Sequence, residues 1–153
     1  MSCGLDIVSK NIAVQYLTND PKKIIGSLLQ LRIAYNSGAA FSLAPTATLF
    51  FSLFSISIAA ATLYLSRNLV SKPWAYVAGL VLGGICGNLL DRIFRSPGAF
   101  RGPVVDWIEL PHWPTFNFAD SSIFIAAILA CILTLRNIPP TSNKPTTTQT
   151  KED

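Results

Sequence analysis

From residue 46 to residue 66 the chain reads TATLFFSLFSISIAAATLYLS, with no charged residue anywhere in the run. A helix of about 20 residues that is apolar all round fits the hydrocarbon core of a bilayer and suits the surface of a soluble domain poorly. Two more runs follow, one from Trp74 to about residue 94 after the polar turn RNLVSKP, the other from about Ala119 to Leu135. Backbone groups in lipid find no water, so each run has to satisfy its own hydrogen bonds as a helix. The composition agrees, with half of the 153 residues hydrophobic, 13% charged and a mean hydropathy of +0.43.

The expected fold is therefore a membrane all-α bundle with full spans at about 46–66, 74–94 and 119–135. LDIVSKNIAVQYL, a partial helix over about 5–17, is interrupted by Asp6 and Lys10 and is too short to cross alone, so it reads as the outer end of a longer helix. It lacks the basic start, unbroken apolar centre and small-residue cleavage site of a signal peptide. In the segment 24–44, Leu29, Leu31, Ile33 and Tyr35 alternate with a period of two, which predicts a small sheet or hairpin outside the bilayer. Residues 1–140 read as one membrane domain, and 141–153, rich in Thr and polar throughout, as a disordered tail.

The net charge of +4 is scattered over loops, with no basic stripe interleaved with aromatics, so a nucleic-acid surface is excluded and anionic lipid headgroups are the natural neighbours. Arg67, Lys72, Arg136, Lys144 and Lys151 on one side balance Lys22, Lys23, Arg32, Arg95 and Arg101 on the other, so charge bias does not orient the chain. Cys3, Cys86 and Cys131 are far apart and His112 is the single histidine, which assembles no zinc spacing and no disulfide framework. No metal and no cofactor are expected. No Gly-x-Ser-x-Gly, Cys/His pair or phosphate loop is present either.

The informative residues are polar groups at the ends of the spans. Gly79, Gly83 and Gly87 recur every four residues and leave one helix face open to close approach. Asn88, Asp91 and Arg92 follow on one helical face, where the plainest reading is an Asp–Arg pair anchoring the helix end. In VVDWIELPHWPT, Asp106 is an acid between Val105 and Trp107, open to reading as a turn or cap carboxylate, while Glu109 is expected to face water and His112 to be an interfacial side chain. Asp120, in ADSSI at the start of the last span, has good helix N-cap chemistry.

Threading the spans brings Asp91, Asp106 and Asp120 to the same depth on the same side. A carboxylate at mid-bilayer costs roughly 2.5 kcal/mol or more, so three acids meeting at one membrane face call for a function. Two carboxylates sharing a site split their pKa values into a protonated acid and an ionised base, the arrangement that lets water attack a peptide carbonyl without another nucleophile. Two other classes remain open on these residues: a small transporter or proton-relay subunit passing ions along the three acids, and a non-catalytic membrane module using them for packing and anchoring.

GNLLDR (87–92), VVDW (104–107) and FNFAD (116–120), with YNSGAAFSL (35–43) upstream, resemble in order and spacing the core motifs of the bacterial lipoprotein signal peptidases. The resemblance covers about residues 5–136. It implies a multi-pass aspartic endopeptidase of the cytoplasmic (inner) membrane, with its site toward the extracytoplasmic face. Such an enzyme cleaves diacylglyceryl-modified prolipoproteins before the lipid-modified cysteine. By motif the catalytic pair falls on Asp106 and Asp120, with Asp6, Lys10, Asn36, Gly38, Asn88, Asp91, Arg92, Asn117 and Ala119 binding substrate or supporting the pair. The period-two segment resembles the family's extracytoplasmic β-cradle.

Two departures stand out. Family members have four spans, the first ending in a pattern like Asp-Gln-x-Thr-Lys. Here DIVSK keeps Asp6 and Lys10 at that interval but carries Ile7 and Ser9, and most of the preceding helix is missing. A start upstream of Met1 and a naturally shortened first helix both remain open. The second departure is the extended connection RSPGAFRGP before Asp106, expected to alter access to the site.

Overall fold

The computed structural model describes residues 2–18, 20–37 and 45–141. Their order is α1 (Ser2–Leu17), β1 (Lys22–Ile25), β2 (Leu29–Asn36), α2 (Pro45–Ser66), α3 (Lys72–Phe94), β3 (Val104–Glu109) and α4 (Phe118–Leu135). Among these, α2, α3 and α4 are long and apolar enough to cross a membrane. The helix expected over 5–17 begins earlier, at Ser2.

The burial pattern is that of a protein with lipid for solvent. Phe50, Phe54, Tyr64, Phe124 and Leu135 face outward, while Asp6, Lys10, Ser52, Asp91, Asp106 and Asn117 are buried. Helix α3 lies at the centre and packs against α1, α2 and α4. Its glycines explain the approach: a Cβ on Gly87 would stand 2.5 Å from Asp6 Oδ2 and 3.2 Å from the Ala119 Cβ, and one on Gly84 would stand 2.5 Å from the Ala119 carbonyl oxygen. Gly83 is closed off by Ser2 and Cys3 of α1. Gly79, expected to share this packing face, meets nothing within 4 Å.

At the far end of the bundle Val77, Ala126 and Leu133 form an apolar core. There the Trp74 indole donates to the Ile138 carbonyl at 2.8 Å and the Val70 N–H to the Pro140 carbonyl at 3.1 Å. At the near end the three strands form an antiparallel sheet in the order β1-β2-β3. Asn36 lies opposite Val104, Tyr35 opposite Val105 and Ala34 opposite Asp106, with an irregularity between Leu31 and Ala34.

The sheet confined to 24–44 in the sequence reading thus has a third strand from far along the chain. β3 was hidden because its pairing partner lies some seventy residues earlier, and because Val104, Val105 and Asp106 are all buried, which erases the alternation of a strand with one wet face. The preceding connection folds back on the bundle: the Gly102 N–H donates to the Arg92 carbonyl at 3.0 Å, and Ser52 Oγ of α2 donates to the Phe100 carbonyl at 2.7 Å. A side chain at Gly102 would strike the Asp91 and Arg95 carbonyls, at 2.6 and 2.5 Å.

Candidate active site

Four elements converge where the sheet meets the bundle. β3 contributes Asp106, which is 2% exposed, and α4 contributes Asp120 from its first turn. Between them stands Asn117, fully buried and the N-cap of α4. Its side-chain Oδ1 accepts from the Asp120 N–H at 3.0 Å, and the Asp120 carboxylate accepts from the Asn117 N–H at 3.2 Å, a reciprocal capping box. By sequence Asp120 is the expected N-cap. The cap is Asn117, and Asp120 occupies the N3 position, where its carboxylate can reach back to the helix start.

The same Asn117 amide reaches the second acid. Its Nδ2 donates to Asp106 Oδ1 at 2.6 Å, to the Val105 carbonyl at 3.3 Å and to Asn88 Oδ1 at 3.1 Å. Asn36 of β2 donates to Asp106 Oδ2 at 3.0 Å. Asn88 of α3 donates to Asp120 Oδ1 at 2.8 Å. Burial pushes the Asp106 carboxyl up to about 6; the neighbouring Asp120 charge adds to the rise, and the Asn36 and Asn117 hydrogen bonds and the Lys10 cation offset only part of it.

Behind this pair lies an ionic layer. Lys10 Nζ meets Asp6 Oδ2 at 2.6 Å, Asp91 Oδ2 at 2.9 Å and Asn88 Oδ1 at 3.0 Å. Asp6 Oδ1 accepts from the Ala119 N–H at 2.9 Å, tying α1 to the first turn of α4. Asp91 Oδ2 accepts from the Val105 N–H at 3.1 Å, which ties α3 to the strand beside Asp106.

The Asp91–Arg92 anchor pair is not formed. Asp91 pairs instead with Lys10 and with Arg95 Nε at 2.5 Å, because neighbouring helical residues point apart whereas i and i+4 share a face. Arg92 is buried within electrostatic reach of Asp106, Asp120 and Asp91, and its Nη1 has no hydrogen-bond partner among the described residues. Arg95, read from sequence only as a loop charge, belongs to this layer; its i+4 spacing from Asp91 was the available signal. Glu109, expected to face water, is partly exposed on the sheet and pairs with Arg32 at 2.8 Å. Exposed His112 sits in the connecting turn at φ 60°. Gly38 lies outside the described residues.

Asp120 also opens onto a groove of about 770 Å³ walled by Leu110, Trp113, Phe116, Ile123 and Phe124, so one carboxylate touches both the polar cluster and an apolar trough.

The family of signal peptidase (SPase) II matches residues 1–136. The chain belongs to the signal peptidase II family. A lipoprotein signal peptidase of Mycobacterium tuberculosis (strain ATCC 25618 / H37Rv) is 45% identical over 132 residues, covering 86% of this chain and 65% of that protein. One from Streptomyces coelicolor is 43% identical over 137 residues, covering 89% of this chain and 67% of its own length. The chain thus spans just under two thirds of the mycobacterial relatives, at 65%.

Among solved structures, a bacterial membrane enzyme determined by the in meso method at 1.9 Å superposes with a TM-score of 0.77 at 28% identity, covering 89% of this chain and 88% of that one. With three span-length helices and membrane-enzyme relatives, this signal peptidase II family member is a multi-pass membrane protein.

Proposed function

We propose that the chain is an aspartic endopeptidase that removes signal peptides from diacylglyceryl-modified prolipoproteins, cutting before the lipid-modified cysteine. The observation that carries this reading is that Asn117 hydrogen-bonds Asp106 and Asp120 at once, holding two carboxylates in one buried polar cluster. Asp106, with its proton affinity raised by burial, is the acid that donates to the developing oxyanion. Asp120 is the base that takes a proton from the attacking water. Its two oxygens are held by the Asn88 amide and the Asn117 N–H, which aims the carboxylate.

Asn36, Asn88 and Asn117 orient the pair, and Asp6, Lys10, Asp91 and Ala119 brace the elements that carry it. Arg92, with a buried N–H free of partners among the described residues, is suited to a substrate carbonyl, and Gly38 is assigned to the substrate backbone by its motif alone. The trough beside Asp120 suits acyl chains and the apolar signal segment, whose burial would supply binding energy away from the scissile bond. In this reading the sheet and site face the extracytoplasmic side of the bacterial cytoplasmic membrane.

The test is cleavage of a lipid-modified prolipoprotein by the detergent-solubilised chain. Asp106→Asn and Asp120→Asn are each expected to lower turnover by at least about a thousandfold, since each removes one of the two proton-transfer groups. Cleavage that survives both substitutions would sink the assignment of the pair.

A further inference from the structure

Lys10 stands apart from the two aspartates in sequence and on a different helix, yet it is 1% exposed and all three of its donors are used. One of them goes to Asn88 Oδ1. The same oxygen accepts from Asn117 Nδ2, so two donors converge on it and the Asn88 N–H group is left to point at Asp120. An ammonium group has no acceptor. If the Asn88 amide turned over, its NH₂ would face the ammonium and the Asn117 NH₂, while its oxygen would face the Asp120 carboxylate, leaving repulsive contacts on both sides.

Asn117 cannot turn to relieve them, because its Nδ2 is held by Asp106 and its Oδ1 by the Asp120 N–H. Lys10 is itself pinned by Asp6, whose other oxygen takes the Ala119 N–H one residue before Asp120.

We propose that Lys10 is a positioning residue for Asp120, fixing the Asn88 amide so that its N–H is always presented to that carboxylate. α1 therefore grips Asp120 twice, once through Asn88 and once through the backbone of Ala119. The inference rests on the peptidase reading for its kinetic consequence but not for the amide orientation itself. Removing the ammonium takes away one of the two donors on Asn88 Oδ1 and leaves the amide held on that side by Asn117 alone, so Asp120 is misaligned in a fraction of molecules without any loss of substrate contact, and turnover falls while KM is nearly unchanged. Around Asp106 the charged groups are Asp120, Lys10 and Arg92, with Asn36 and Asn117 as neutral donors. Loss of Lys10 removes a cation from that set, and the alkaline limb of the pH profile moves upward.

The experiment compares wild type with Lys10→Met and with the double variant Lys10→Met/Asp6→Asn. The double variant loses one positive and one negative charge together, and Asn at position 6 still accepts from the Ala119 N–H, so it tests the idea even where the single variant fails to fold. The expected result is a kcat lower by about 10- to 100-fold, the range that misplacement of a reacting group produces, with KM within about twofold, and in the single variant, which loses the cation alone, the alkaline limb shifted upward. Lys10→Arg, which retains charge and donors, is expected to recover part of the loss.

A folded double variant with wild-type kcat overturns the proposal, as does a loss confined to KM. The Asn88 side-chain amide signal in asparagine-labelled protein reads the orientation independently of cleavage. It is expected to move or broaden in the double variant, and an unmoved signal overturns the inference whether or not wild type cleaves. Absence of cleavage by wild type counts against the peptidase reading alone.

Discussion

Asp106 shows how one residue links burial to chemistry. Its carboxyl is raised from 3.8 to about 6, so the folded chain holds this proton more tightly than the unfolded chain does. The stability it contributes is fully present below about pH 4 and is lost as pH rises through about 6, by roughly 2–3 kcal/mol at most. Asp106→Asn removes the titrating group and should flatten the dependence of the unfolding temperature on pH across that window. An unchanged slope would show that other groups govern it. In the proposed peptidase the same titration would set the acid of the free enzyme, so kcat/KM against the lipid-modified substrate is expected to decline above about pH 6, measured at subsaturating substrate. Which acids to watch was legible from VVDW and FNFAD, but the raised value was not, since it depends on burial by chain segments far away.

At the level of elements, α4 supplies site residues from its first turn and α3 receives α1 on its glycine face. Asn117→Ala removes a cap worth about 1 kcal/mol and also leaves Asp106 without its closest donor. It should lower both the unfolding temperature and turnover, whereas a loss of activity alone would show that the cap is dispensable. On α3, Gly87→Ala drives a methyl against Asp6 and Ala119, so it is expected to loosen α1 and reduce stability. Gly79→Ala meets open space and should be neutral or slightly stabilising, in line with alanine's preference of about 1 kcal/mol in helices. Equal effects at the two glycines, read by thermal unfolding in detergent, would contradict this packing. The four-residue spacing in sequence treated both alike; only the arrival of α1 at Gly83 and Gly87 separates them.

For the whole molecule, polar groups inside and aromatic groups outside are what lipid demands, and the bundle has two distinct ends. The sheet and the acid cluster occupy one, while the α2–α3 turn and the segment after α4, joined through Val70 and Pro140, occupy the other. Cysteines placed at Glu109 and at Asn68, in a background lacking Cys3, Cys86 and Cys131, should react with an impermeant reagent from opposite faces of sealed vesicles. Labelling of both from one face would refute the threading.

The sequence alone determined that this chain belongs in a membrane, where its three long helices run, and which acids gather at one end. Those properties follow from local composition and from motif order, and each can be read without knowing what touches what. The tertiary structure decided the rest: the third strand, the Asn117 cap that joins both aspartates, the pairing of Asp91 with Lys10 and Arg95, and the reach of Lys10 to Asn88. Each of these is a contact between residues distant in sequence or a choice among competing partners, and such a choice is settled only when packing fixes which group stands within hydrogen-bonding distance of which.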